Sequence, residues 1–270
     1  MKTHSAPQSP QLAGGFFKIA AIALNTFMEA VRDRILYAIL VFALVMLAGS
    51  TVLVTVSVGG EEKIIKDMGL ACISIFGSLI AIFLGIGLVS KEIEKRTVYT
   101  VLSKPIHRSQ FVLGKYLGLV LTLLVNVSVM ALGLIGLAYF WEGFASPRLL
   151  LAVLFIFLEL MLVTATAMVF SAFSSPALSA IFTLCLFVAG HLSADLRLFA
   201  AHYGGATTKL LAETLYILLP NLSRLNFKDQ AVHPIAIDRG TAALSLVYAI
   251  FYAAALVLAA VAIFQRRDFK

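Results

Sequence analysis

The sequence predicts an all-α polytopic membrane protein with six transmembrane helices. Composition, the spacing of apolar runs and the placing of cations predict it. Of the 270 residues, 61% are hydrophobic and 13% charged, with a mean hydropathy of +0.98; a soluble domain carries about 25% charged residues. This alphabet cannot build a water-facing surface, which excludes a cytosolic enzyme, a nucleic-acid-binding domain and a secreted disulfide scaffold. In such a chain the net charge of +7 sets orientation and binds anionic headgroups. Cys72 and Cys185 lie in separate apolar runs and form no metal or redox spacing.

A spanning helix needs about 20 mostly apolar residues. Six stretches qualify: 35–58, 69–89, 113–140, 149–173, 177–194 and 241–264. The first is too long and starts too late for a cleaved signal peptide. Residues 1–15 are polar, with Pro7, Pro10, Gly14 and Gly15, and read as a disordered tail. An even number of spans puts both termini on one side. With the termini inside, that side holds 13 of the 21 Lys and Arg. The short outer loops then hold only Lys63, Lys66 and Arg148, so the termini are expected in the cytoplasm.

Before the first span, residues 16–34 read as an amphipathic helix lying in the membrane interface. Lys18, Asn25, Glu29 and Arg32 form one polar stripe at a 3.6-residue period, and Phe16, Phe17, Ile22 and Leu24 lie off it. Residues 90–112 are charged and longer than a turn between adjacent spans requires. Helix is possible over 91–102; Pro105 breaks it, and Ser109 is placed to cap the next helix. From composition, this segment is equally a solvated loop with basic anchors or a docking element. Residues 173–176, FSSP, read as a tight turn with Pro176 at a first helical position. In the outer segment 195–240, residues 207–219 suit a helix supported by Lys209 and Glu213 and stopped by Pro220. Residues 221–240 then return to the last span, and 265–270 form a basic tail.

Few catalytic patterns are present. No phosphate-cradling G-x-x-x-x-G-K-[ST], no H-E-x-x-H and no G-x-S-x-G occurs. Gly114 and Gly118 form a GxxxG at the start of the third span, which serves helix packing or is fortuitous. Glu159 stands out in the middle of the fourth span, where a carboxylate costs about 2.5–3.5 kcal/mol on insertion. It either lines a translocation path or bonds another polar group, with Asn126, Ser128, Thr164 and Thr166 as candidates. His191 and Asp195 share a helix face, but that spacing reads as a wet helix end, and no metal site is assigned.

The order of these parts resembles the permease subunits of ABC-2 type ABC transporters. The segment Glu92–Thr97, EIEKRT, followed by LSKPIHRSQFVLGKYLG, is similar to the family's E-x-E-x-x-T…S-x-P-x-x-R-x-x-F-x-x-G-K-x-x-G pattern. SAFSSPALSA, LLPNLSRLNFKDQ and the FQRRDF tail resemble further family segments, most like the stand-alone NosY-type permeases. The resemblance runs from Phe16 to Phe269 and implies a six-span subunit, paired with a second permease copy, on cytoplasmic ABC ATPases. The segment after the second span would be the cytoplasmic coupling helix. Carried over by position, Glu92, Glu94, Lys95, Arg96 and Thr97, with Lys104 and Pro105, would form or support the ATPase contact. ATP and Mg would bind the partner ATPase, with no cofactor on this chain.

The expected protein is therefore a non-enzymatic permease of the prokaryotic plasma membrane, acting as an exporter or working on an extracytoplasmic protein. Glu159, Asn126 and Thr166 are its candidate path residues, and no nucleic acid is involved. Two rivals remain: a proton-coupled secondary carrier using Glu159, and a membrane scaffold without transport.

Overall fold

A computed structural model describes residues 11–56, 60–94, 107–142, 146–203, 205–233 and 238–266. Six of its helices are long and apolar enough to cross a membrane. In chain order the helices are α1 (Gln11–Val31), α2 (Arg34–Val56), α3 (Glu61–Glu94), α4 (Arg108–Glu142), α5 (Pro147–Ser171) and α6 (Pro176–Tyr203). They continue with α7 (Ala206–Leu218), a 3-10 turn at Leu222–Leu225, α8 (Lys228–Val232) and α9 (Arg239–Arg266). The six expected spans correspond to α2, α3, α4, α5, α6 and α9.

Boundaries move for local reasons. Gly60, at φ 77, starts α3, and its carbonyl accepts from the amide nitrogens of Lys63 and Ile64. Glu61 and Glu62 then place negative charge on the first turn of α3. The 34 residues of α3 extend about 51 Å, well beyond the hydrocarbon layer. Residues 91–94, expected in a separate segment, are the last turn of this helix.

The cap expected at Ser109 is not formed there, because α4 already begins at Arg108. Instead the Gln110 side chain reaches back to accept from the His107 amide at 3.4 Å. The turn at Phe173–Pro176 is as expected, with Pro176 first in α6.

The core is built on α3 and α5, of whose apolar windows 67% and 72% are buried, against 22% for α2 and for α6. Small residues allow the close approach: a Cβ on Gly85 would stand 2.5 Å from Ala167 Cβ, and one on Gly77 2.6 Å from Leu160. The Ser171 hydroxyl donates across to the Ile86 carbonyl at 3.2 Å, and Tyr116 on α4 donates to the Met161 carbonyl at 3.3 Å. Near its start α4 also meets the end of α9: Arg108 donates to the carbonyls of Phe264 and Gln265, and Phe111 stacks on Phe264 at 6.0 Å.

The entry helix α1 is present but shifted: it starts at Gln11 and ends at Val31, and the chain turns at Arg32–Asp33. Its polar stripe of Lys18, Asn25 and Glu29 is exposed, as are Phe16 and Phe17. Its opposite side lies along the first turns of α4, running in the same direction. There the GxxxG has a use: a Cβ on Gly114 would stand 2.8 Å from Ile22, and one on Gly118 2.5 Å from the Ala23 carbonyl.

Candidate functional site

Two regions hold the charges that the bundle places among its apolar helices. One is at the end where α3 stops and α4 starts. The other is at the opposite end, under the segment between α6 and α9.

At the first end a cavity of about 370 Å³ opens between α1, α2, α3, α4 and α6, a size typical of small-ligand pockets. Glu29, Asp33 and Lys115 line it with Ile39, Ile80 and Phe83, among others. Asp33 Oδ1 accepts from the Ile35 amide at 3.0 Å, fixing the turn that leads α1 into α2. Lys115 is 7% exposed, with its ammonium 5.1 Å from the Phe111 ring centroid. None of these residues was singled out as a site from sequence, because the five helices that surround the cavity come from distant parts of the chain.

At the other end, Glu159 on α5 has no exposed surface and faces His191 on α6, with Nε2 3.4 Å from Oε1. Neither carboxylate oxygen has a hydrogen-bond partner of good geometry. The partners expected from sequence are turned elsewhere. Asn126 donates to the Thr122 carbonyl at 2.8 Å, and Thr164 and Thr166 bond to Leu160 and Leu162 within their own helix. The structure thus does not join Asn126 or Thr166 to Glu159 by a hydrogen bond; each satisfies its own backbone. The Oδ1 of Asn126 is buried without a partner.

A cation near Glu159 is Lys228, in the segment expected to return to the last span. Burial pushes its ammonium below the usual lysine range, while Glu159, Asp67 and Asp229 pull it back up. Lys228 gets there because residues 220–232 form a wedge in the bundle. Leu222, Leu225, Phe227 and Ala231 are buried in the main core, and the Phe227 ring lies 4.1 Å from that of Phe155. Gly190 admits the wedge, since a Cβ there would stand 2.7 Å from the Pro220 carbonyl. Tyr248 accepts from the Asn221 amide at 2.8 Å, and Ser245 donates to the Arg224 carbonyl at 3.0 Å. The apolar spacing of Leu222, Leu225 and Phe227 was the available sign in the sequence.

Above the wedge, α7 matches the helix expected at 207–219, but its acid pairs differently. Glu213 lies 3.7 Å from Arg197 of α6. Tyr216 receives the guanidinium of Arg224 at 3.3 Å and lies under that of Arg197 at 4.7 Å. The hydrogen bond from Arg224 leads the causes that hold its phenol below the usual tyrosine range.

Of the expected coupling residues, Glu92 and Glu94 lie on the last turn of α3. Lys95, Arg96, Thr97, Lys104 and Pro105 lie outside the described residues. Among the described residues no group of His, Cys, Asp and Glu is arranged to hold a metal ion.

A family model described as ABC-2 family transporter protein matches residues 20–269. The chain belongs to the ABC-2 transporter family. It is therefore a membrane component of an ABC transporter, of a kind that associates with an ATP-binding subunit. A comparison with curated proteins finds no match. The ABC-2 assignment spans both charged regions, from the α1 wall of the cavity to the Lys228 wedge.

Proposed function

We propose that this ABC-2 subunit is the permease of an exporter in a prokaryotic plasma membrane, with both termini in the cytoplasm. Two copies pair, and each docks a cytoplasmic ATPase that holds ATP and Mg; this chain carries no cofactor and no catalytic group. The docking element is the segment from Glu92 and Glu94 through Lys95, Arg96 and Thr97 to Lys104 and Pro105.

One observation supports the reading above the others: α3 is uninterrupted from Glu61 to Glu94. Its C-terminal half lines the cavity at Ile80, Phe83, Ile86 and Gly87, and its last turn carries Glu92 and Glu94. Backbone hydrogen bonds make a helix stiff along its axis. A push on the docking segment as two ATPases close would therefore move the cavity wall. ATP hydrolysis and the shape of the cavity are thereby coupled without any nucleotide site in the membrane chain. The long segment between α6 and α9, on the extracytoplasmic side, supplies a surface for an extracytoplasmic protein.

The test is retention of the ATPase. The tagged full chain, taken from its host membrane in mild detergent, is expected to bring down a stoichiometric ATPase. Glu92→Ala with Glu94→Ala should lose it while still inserting in the membrane. Full retention by that variant removes the docking assignment.

A second reading is favoured by the contact between Glu159 and His191: a carrier driven by protonation. It predicts flux that follows a pH gradient with no ATPase present.

A further inference from the structure

Glu159 lies between two partners that ask opposite things of it. On one side, the neutral His191 ring keeps its hydrogen on Nδ1, beside the Phe187 carbonyl, and offers the carboxyl a lone pair on Nε2. That contact needs a protonated carboxyl. On the other side, the Lys228 ammonium needs a carboxylate. Its charge reaches both Glu159 and His191. Packing puts Lys228 there: α8 lies against α3 and α5, and Phe227 beside it meets Phe155, one turn from Glu159. Asp67 of α3 and Asp229 of α8 itself also face Lys228. Both are exposed, so solvent weakens their hold on it.

The seat of α8 has costs as well as contacts. Hydrogen bonds to Tyr248 and Ser245 hold Asn221 and Arg224 to α9. Further along, Leu225, Phe227 and Ala231 are buried in the bundle. At bilayer depth lipid tails are as apolar as a protein core, so such contacts favour the seat only weakly. Seating also leaves Oε1 of Gln230 buried without a partner, which is unfavourable.

We infer that Glu159 is a proton-operated switch. Ionised, it holds Lys228 and seats α8 between α3 and α5; protonated, it bonds His191 and lets α8 swing away. The proton comes from water by way of His191, whose side chain is 25% exposed while that of Glu159 is fully buried. It settles on Oε1, which then donates to Nε2, and Lys228 loses its buried counter-charge. Acid therefore loosens α8 and alkali reseats it. Only the side of the membrane that supplies the proton follows from the orientation proposed above; the switch itself does not rest on the permease reading.

The test measures a distance with two nitroxide labels on the full chain, in nanodiscs of phosphatidylcholine, by pulsed electron paramagnetic resonance. Cys72→Ala and Cys185→Ser clear the background. Ser175→Cys labels the exposed turn between α5 and α6, and His233→Cys labels the exposed end of α8, at the opposite end of the bundle. The second change also removes the titration of His233 from the readout. A single distance is expected in alkali. On acidification a second distance should appear, with the ratio of the two changing about tenfold or more, the loss of a charge-assisted contact.

Glu159→Gln and Lys228→Met should each show the second distance at every pH. Lys228→Arg, which keeps the charge, should respond to acid as the parent does, and so should Asp67→Asn. One unchanging distance in the parent overturns the switch. So does an acid response that survives Glu159→Gln, or one that is lost in Lys228→Arg or Asp67→Asn. The labels are read without any ATPase, so failure to retain an ATPase bears on the permease reading alone.

Discussion

Nε2 of His191 stands 3.4 Å from Oε1 of Glu159, while Nδ1 of the same ring lies 3.2 Å from the Phe187 carbonyl. A carbonyl only accepts, so the hydrogen belongs on Nδ1 and a neutral ring turns a lone pair toward the carboxyl. The contact is attractive when the pair holds one more proton. Glu159→Gln supplies an amide donor in the same place and is expected to change stability by less than about 1 kcal/mol. His191→Leu leaves the buried carboxyl facing carbon and should cost about 1–3 kcal/mol. Thermal unfolding in one detergent compares the two; equal effects would refute the shared proton.

The α1–α4 contact makes a steric prediction. At Gly118 a Cβ would stand 2.5 Å from the Ala23 carbonyl and 2.7 Å from Thr26. Gly118→Val should therefore detach α1 or cost about 1–3 kcal/mol by overpacking. The control is Gly136→Ala, where nothing lies within 4 Å and the helix gains up to about 1 kcal/mol in propensity. Limited proteolysis within residues 11–31 reads the difference: faster cleavage in the first variant only.

Arg108 closes a loop between distant parts of the chain. Its guanidinium donates to the Phe264 carbonyl at 3.4 Å and the Gln265 carbonyl at 3.2 Å, where α9 runs out of its own amides. Arg108→Ala is expected to fray the last turn of α9 by about 1 kcal/mol, seen as faster amide exchange at its end. Unchanged exchange there would show that the long bonds carry nothing.

Asp238 caps α9 at its other end. Oδ2 accepts from the Thr241 amide at 3.0 Å and its hydroxyl at 2.7 Å, and these bonds hold the carboxyl below its ordinary range. A depressed carboxylate contributes stability above its unfolded value, lost as pH falls through the folded one. Exchange at residues 240–242 should therefore accelerate only below the ordinary aspartate range of about 3.9. Asp238→Ala should abolish that pH dependence.

Much of the architecture was legible because lipid imposes a simple demand. A run of about 20 apolar residues has few alternatives to a helix, and α2 to α6 and α9 follow. Polar residues were harder to place. Asn126, Thr164 and Thr166 can bond their own helix carbonyls, so their presence in a span says little about what they face. The Glu159 partner was missed because His191 lies 32 positions further along, on another span. Lys228 was missed because a wedge of short turns has no long period to read. The cavity was invisible for a related reason: its shape depends on how five helices meet.

The close approach of α3 and α5 has a mechanical consequence. At Gly77 and Gly85 a partner side chain or backbone fills the place of a Cβ, so neither helix can slide without climbing over the other. Most of the apolar windows of α2 and α6 remain unburied, by contrast, but α6 is keyed to the wedge at Gly190, whereas Gly49 of α2 has nothing within 4 Å. The fold thus divides into a pair of spans that cannot slip past each other and an α2 that no such contact holds. Relative sliding of the spans thus meets least resistance at the seam around α2, which forms one wall of the cavity.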